Sequence, residues 1–238
     1  MYGPDLAFIH HSAFGDLAKG AAPAIIDRLK QCGHRDGLVI DLACGSGLLA
    51  AELVSAGFDV LGVDLSPDMI ELARQVCPGG QFVVGSVHQT ELPPCVAVVS
   101  VGEGLTYLSD PAEELRLDVL FGRIATALEP GGFLIFDAVE CARDEAMNYT
   151  AQRSGDDWHL SVRVTEDTER RLLTREIDIV RGSGAERSRS REVHYVRTLD
   201  PNETKDLLTA LGFDVTLSRA YGDMPLAPRR FACIAQKA

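Results

Sequence analysis

With 238 residues, 46% hydrophobic and 24% charged, the chain has the size and composition of one globular domain able to bury a sizeable core. A formal net charge of −12 argues against nucleic acid as the main partner, because phosphate binding needs a basic face. No apolar run reaches the length of a membrane span, and the six cysteines form no C-x-x-C pair. The expectation is therefore a cytoplasmic protein with reduced thiols, no metal and no membrane association.

In chain order, residues 1–15 read as an irregular lead-in carrying Tyr2, Phe8, His10, His11 and Phe14, and Asp16–Gln31 as an amphipathic helix. From 37 to 138, short apolar runs alternate with amphipathic segments, the pattern of βα units in a parallel sheet. The spacing predicts strands at Leu38–Leu42, Asp59–Asp64, Gln81–Val84, Val96–Val101 and Phe133–Ala138. Helices are predicted near Gly47–Ala56, Pro67–Val76 and Pro111–Leu128, with Ser66 and Asp110 as caps before the two prolines. Beyond residue 150 the period becomes two in "WHLSVRV", "LLTREIDIV" and "SREVHYVR", joined by turns such as "EDTE" and "GSGAE". That reads as an antiparallel insert after the fifth strand. A helix at Pro201–Leu211 and strands at Phe213–Ser218 and Arg230–Gln236 close the chain.

The first strand runs into "VIDLACGSGLLA" (39–50), whose Gly45-Ser46-Gly47-Leu48-Leu49-Ala50 fits the glycine turn of a dinucleotide site. Asp64, 19 residues past Gly45 at the end of the second strand, suits the ribose hydroxyls of any adenosine. Asp41 separates the candidates. A fixed carboxylate there would repel the pyrophosphate of NAD but suits a ligand with an ammonium group.

Five stretches together decide the resemblance: "VIDLACGSG" (39–47), "VLGVDLSPDMIELAR" (60–74), "FVVGSVHQTELP" (82–93), "VAVVSVGEGLTYL" (96–108) and "LEPGGFLIFD" (128–137). In this order they resemble class I S-adenosylmethionine-dependent methyltransferases. The resemblance implies an α/β, Rossmann-like sandwich: a seven-stranded, mostly parallel sheet with an antiparallel final strand. To this the β-insert is added. One domain over 1–238 is expected, with 1–35 as an N-terminal lid and helix and 150–197 as an insert covering the acceptor. The implied reaction moves a methyl group from S-adenosylmethionine to an oxygen or nitrogen of a small molecule, leaving S-adenosylhomocysteine. A non-catalytic S-adenosylmethionine-binding module and an NAD-dependent reductase are the alternatives. A monomer or homodimer is expected.

By the same resemblance, the turn Ala43, Gly45, Ser46, Gly47 receives the methionine carboxylate, with Ala43 standing where the family has its first glycine. Asp41 faces the ammonium, Asp64 accepts from the ribose, and Leu65 and Met69 flank the adenine, although Met69 equally suits helix core. Ser86 replaces a common acid and would accept from the adenine amino group, with the Val87 amide beside it. His88 reads as surface and Tyr107 as core. Val101 and Gly102 contact the amino-acid moiety.

Glu103, His10 and His11 are the candidate catalytic groups, as bases for a hydroxyl or ammonium acceptor. Glu103 reads equally well as a helix-start acid, and the histidines as one polar helix turn. Arg187, Arg189 and Arg191 share a strand face, either solvated or facing an anionic ligand or a partner subunit.

Overall fold

The computed structural model describes residues 2–182 and 187–238, so most of the turn read at 182–186 lies outside the described residues. The first strands, β1 (Leu38–Leu42), β2 (Asp59–Asp64), β3 (Gln81–Val84) and β4 (Cys95–Ser100), are apolar runs. The short β5 (Tyr107–Leu108) and the long β6 (Leu128–Val139) follow. Four further strands, β7 (Asn148–Ser154), β8 (Trp158–Asp167), β9 (Leu172–Arg181) and β10 (Ser188–Arg197), form the insert. The chain ends in β11 (Phe213–Ser218), the hairpin pair β12 (Ala220–Tyr221) and β13 (Met224–Pro225), and β14 (Arg230–Lys237). The main sheet has the order β11-β14-β6-β4-β1-β2-β3. All its strands are parallel except β14, which runs antiparallel to both β6 and β11. This is the expected fold class.

Six helices cover the sheet and the insert: α1 (Pro4–Ala13), α2 (Asp16–Gln31), α3 (Leu48–Ser55), α4 (Pro67–Val76), α5 (Leu117–Ala127) and α6 (Pro201–Ala210). Alternate residues of the central strands face opposite layers. Val39, Ala97, Val99 and Ile135 meet α2, α3 and α4, while Ile40, Val98, Leu134 and Phe136 meet α5 and α6. The cap before α4 forms as read, with the Met69 amide donating to Ser66 Oγ at 3.2 Å. Asp200 caps α6 in the same way, accepting from the amides of Asn202 and Glu203.

The structure departs from the sequence reading in four places. Residues 4–13 are helical, because Leu6 and Ile9 are buried against Leu160, Ile177 and Ile179 of the insert, a partner invisible in local sequence. The helix read from Pro111 starts only at Leu117; Pro111–Arg116 is turn and coil. The fifth long strand begins at Leu128, upstream of the Pro-Gly-Gly, with its register shifting against β4 between Cys95 and Ala97. Finally, β7 is exposed throughout, so it lacks the apolar alternation by which its neighbours were recognised.

The insert strands and β5 form a second antiparallel sheet in the order β5-β10-β9-β8-β7. It is tied to the main sheet by Glu166, whose side chain is fully buried. The Glu166 carboxylate accepts from both terminal nitrogens of Arg229 at 2.7 and 2.8 Å and from the amides of Ala142 and Met147. Glu166→Ala strands all four donors and should destabilise the chain by ~3 kcal/mol or more in urea unfolding. A loss below about 0.5 kcal/mol would show that the tie is dispensable.

Candidate active site

The site begins where β1 and β2 end side by side. Cys44 donates its amide to Val63 O, and Gly45 donates its amide to Asp64 Oδ2 at 2.9 Å. The other Asp64 oxygen accepts from Ser66 N at 2.9 Å. Asp64 therefore braces the two strand ends before any ligand arrives. Burial raises its carboxyl above the ordinary range, against the pull of the Ser66 and Gly45 amides.

The turn itself is left-handed at Ala43 (φ 58), Gly45 (φ 52) and Gly47 (φ 74). Space around Gly45 is open, whereas a Cβ on Gly47 would lie 3.0 Å from Ala73 of α4. Ala43 holds this conformation without being glycine, and its Cβ sits where Gly104 leaves room for it. Under the turn lies Asp41, buried, with Oδ2 lacking any partner. Burial, reinforced by the charge of Asp64, pushes its carboxyl up to about 8. An unpaired buried carboxyl of this kind suits a cationic group placed near the turn, which would restore the anion.

A cavity of about 380 Å³ opens over this turn, within the range of small-molecule sites. Of the expected cofactor residues, Ala43, Gly45, Asp64, Leu65, Met69, Ser86, Val87, Val101 and Gly102 line it. Asp41, Ser46 and Gly47 lie behind the lining. His88 and Tyr107, read as surface and core, both line it as well. The buried Nε2 of His88 has no partner, and burial lowers its pKa.

Helix α1 forms one wall, and its two histidines serve different elements. His10 lies in the cavity between the rings of Tyr2 and Phe14, with Nδ1 unpartnered. Burial, with His11 and His194 adding to it, pushes its pKa down to about 4. His11 does not line the cavity; its Nδ1 lies 2.9 Å from Ser46 Oγ and clips the helix to the glycine turn. Tyr2, which packs on His10, accepts from Ser66 Oγ through its carbonyl at 2.7 Å.

Glu103 occupies a different position from the one expected of a base. It is buried, takes φ 68, and has both oxygens engaged, one by Arg175 of β9 at 2.6 Å and the other by Arg230 of β14. Burial acts to raise its carboxyl, yet the two guanidinium groups hold it below the ordinary range. Such a group is a poor proton acceptor at neutral pH. Arg175 also donates to the Tyr107 hydroxyl at 2.9 Å. Sequence reasoning overlooked Arg175, Arg230 and His194. The available signal was an arginine at an inward position of an apolar alternation, between Leu173 and Ile177. The arginines that did attract notice lie elsewhere: Arg187, Arg189 and Arg191 are exposed, and Arg191 pairs with Glu176 and Asp178.

Asp64→Ala removes the brace and the expected ribose acceptor together, so it should weaken S-adenosylhomocysteine binding by ~2–3 kcal/mol in calorimetry. A change under about threefold in a folded variant would place the ribose elsewhere.

Among the described residues no group of three or more metal-ligating side chains converges, and no helix is long and apolar enough to cross a membrane. The methyltransferase domain family matches residues 39–132. A chain of Geobacillus sp. (strain WCH70), named as a methyltransferase, is 29% identical over 203 residues, covering 79% of this chain and 78% of its own. Among solved structures, an S-adenosylmethionine-dependent methyltransferase from Clostridium acetobutylicum superposes with a TM-score of 0.80 at 17% identity, covering 97% of this chain and 96% of its own. The sugar N-methyltransferase KedS8 from Streptoalloteichus sp. gives 0.77 at 18% identity, covering 100% and 96%. At these identities the structural likeness speaks for the fold; the family match and the curated relative carry the activity. Together these findings support a class I S-adenosylmethionine-dependent methyltransferase.

Proposed function

We propose that the chain methylates an amine nitrogen of a small molecule. The observation that carries this reading is the double ion pairing of Glu103, which leaves neither of its oxygens free to take a proton from an acceptor. His10, with a pKa pushed down to about 4, is neutral and a weak base. A hydroxyl acceptor needs a proton removed as it attacks, whereas a neutral amine already presents a lone pair. KedS8, of the same fold, acts on a sugar nitrogen by its name, which favours the same class.

In this reading S-adenosylmethionine supplies an activated methyl group, and the chain supplies position and dryness. Asp64 holds the ribose, Ser86 and Val87 meet the adenine between Leu65 and Met69, and Ala43, Gly45 and Gly102 approach the amino-acid end above Asp41. Val101 adjoins them. Ser46 and Gly47 act from behind, by holding His11 and by close packing on α4. His10 Nδ1 accepts a hydrogen bond from the acceptor N–H and so orients the nitrogen lone pair. Tyr2, His10, Phe14, Leu17 and Ala18 wall the acceptor end, and the 150–197 insert backs that wall through α1. The amine nitrogen bonds to the methyl carbon, the carbon–sulfur pair returns to sulfur, and the surplus N–H proton leaves to water.

Matched acceptors that differ only in an amine or a hydroxyl test this. The amine should be turned over at least ~10²-fold faster, with the methyl located on nitrogen by NMR. The basic-side rise of kcat/KM should follow the acceptor's own pKa when two amines are compared. Faster turnover of the hydroxyl, or a limb indifferent to the acceptor, would overturn the reading.

A further inference from the structure

The loop after β4 has two consecutive left-handed residues, Gly102 (φ 98) and Glu103 (φ 68). A non-glycine residue in this region is strained and persists only where its surroundings impose it. Asp137 of β6 supplies that constraint. Gly102 N donates to Asp137 Oδ1 at 2.8 Å, and Glu103 N donates to Oδ2 at 3.1 Å. Two successive amides converging on one anion form a nest, and here the chain provides the anion itself. Asp137 is fully buried, and its third donor is the Tyr221 hydroxyl, at 2.9 Å from Oδ1. Tyr221 lies 84 residues downstream in the β12–β13 hairpin, outside the cavity. That hairpin packs on α2, where Gly20 leaves room for Met224, and α2 supplies Leu17 and Ala18 to the cavity wall.

We propose that Asp137 and Tyr221 are positioning residues for methyl transfer. Through its carboxylate, Asp137 holds Gly102–Glu103 in the strained shape that faces the cofactor, and Tyr221 keeps that carboxylate charged. The inference goes beyond the acceptor reading and does not depend on it. Removing the Tyr221 hydroxyl takes away one of three donors to a buried anion, and a protonated Asp137 accepts less well from the two amides. Burial pushes the Asp137 carboxyl up to about 6, with the charge of Glu103 adding and the amides and Tyr221 opposing. The other charges grouped at this end are Arg175 and Arg230, both committed to Glu103. Folded-state protonation therefore sets in as pH falls through about 6, and the loop loosens below it.

The test is calorimetric binding of S-adenosylhomocysteine, without acceptor, to the full chain between about pH 5 and 8. Wild-type affinity should drop on the acid side. In Tyr221→Phe, affinity at pH 8 should stay within about twofold, while the acid drop begins about one pH unit higher, the size of one charge-assisted hydrogen bond. In Asp137→Asn the step near pH 6 should vanish, leaving only the fall through about 8 that Asp41 sets, and affinity at pH 8 should be several-fold weaker. Hydrogen exchange at the Gly102 and Glu103 amides in the unliganded variants supplies a second readout, with protection falling in both. A step near pH 6 that in Tyr221→Phe coincides with wild type, or that survives in Asp137→Asn, would overturn the proposal. So would unchanged protection of the two amides. Because no acceptor is present, these outcomes are independent of whether the methylated atom is nitrogen.

Discussion

The buried carboxylate of Glu103, held between Arg175 and Arg230, is the contact on which the seam between the insert and the main sheet depends. Glu103 belongs to the loop after β4, Arg230 to the last strand of the main sheet, and Arg175 to the insert. One anion therefore joins three elements distant in sequence. Burying charge is expensive, and such a group contributes stability only when its partners are complete. The same saturation removes Glu103 from proton transfer. Structure and chemistry are in this way coupled: the group that joins the insert to the β4 loop and the last strand is unavailable as a base.

The two ends of the cavity rest on different physics. At the cofactor end, backbone amides, a left-handed turn and the Asp64 carboxylate form a polar cradle on the rigid ends of parallel strands. At the opposite end, aromatic rings dominate. Tyr2, Tyr107 and His194 have centroids 4.9–6.5 Å apart, and His10 and Phe14 continue the wall. Helix α1 is itself held from the insert, with Gly3 N on Glu192, Ser190 Oγ on Asp5, and the Arg181 guanidinium 3.9 Å from the centre of the Phe8 ring. The polar cradle is fixed by the sheet, whereas an aromatic wall built on the leading segment and the loop after β4 can be changed without disturbing it.

This division also explains what was legible in the sequence. The strands β1, β2 and β3 and helices α2 and α4 lie where periodicity and caps place them, since their signals are local. Gly45, Asp64 and Gly102 reach the cavity because they sit at strand ends that the parallel sheet brings together. Helix α1 was not legible, because its apolar face is paired with an insert more than 150 residues away. Glu103, which reads equally as a base or a helix-start acid, is not legible for the same reason. A carboxylate at a strand end looks like a base until Arg175 and Arg230 are placed beside it, and neither is its neighbour in sequence. His88 and Tyr107 carried no local pattern that separates a cavity wall from surface or core.

The most direct measurement is the behaviour of Glu103→Gln, followed by chemical unfolding and by the pH dependence of kcat for the folded protein. Removing the anion strands two guanidinium groups, so stability should fall by about 3–5 kcal/mol, while the pH profile of kcat keeps its wild-type shape. Unchanged stability, with kcat lowered by roughly 10²-fold or more and its pH dependence lost, would make Glu103 a general base and contradict the account.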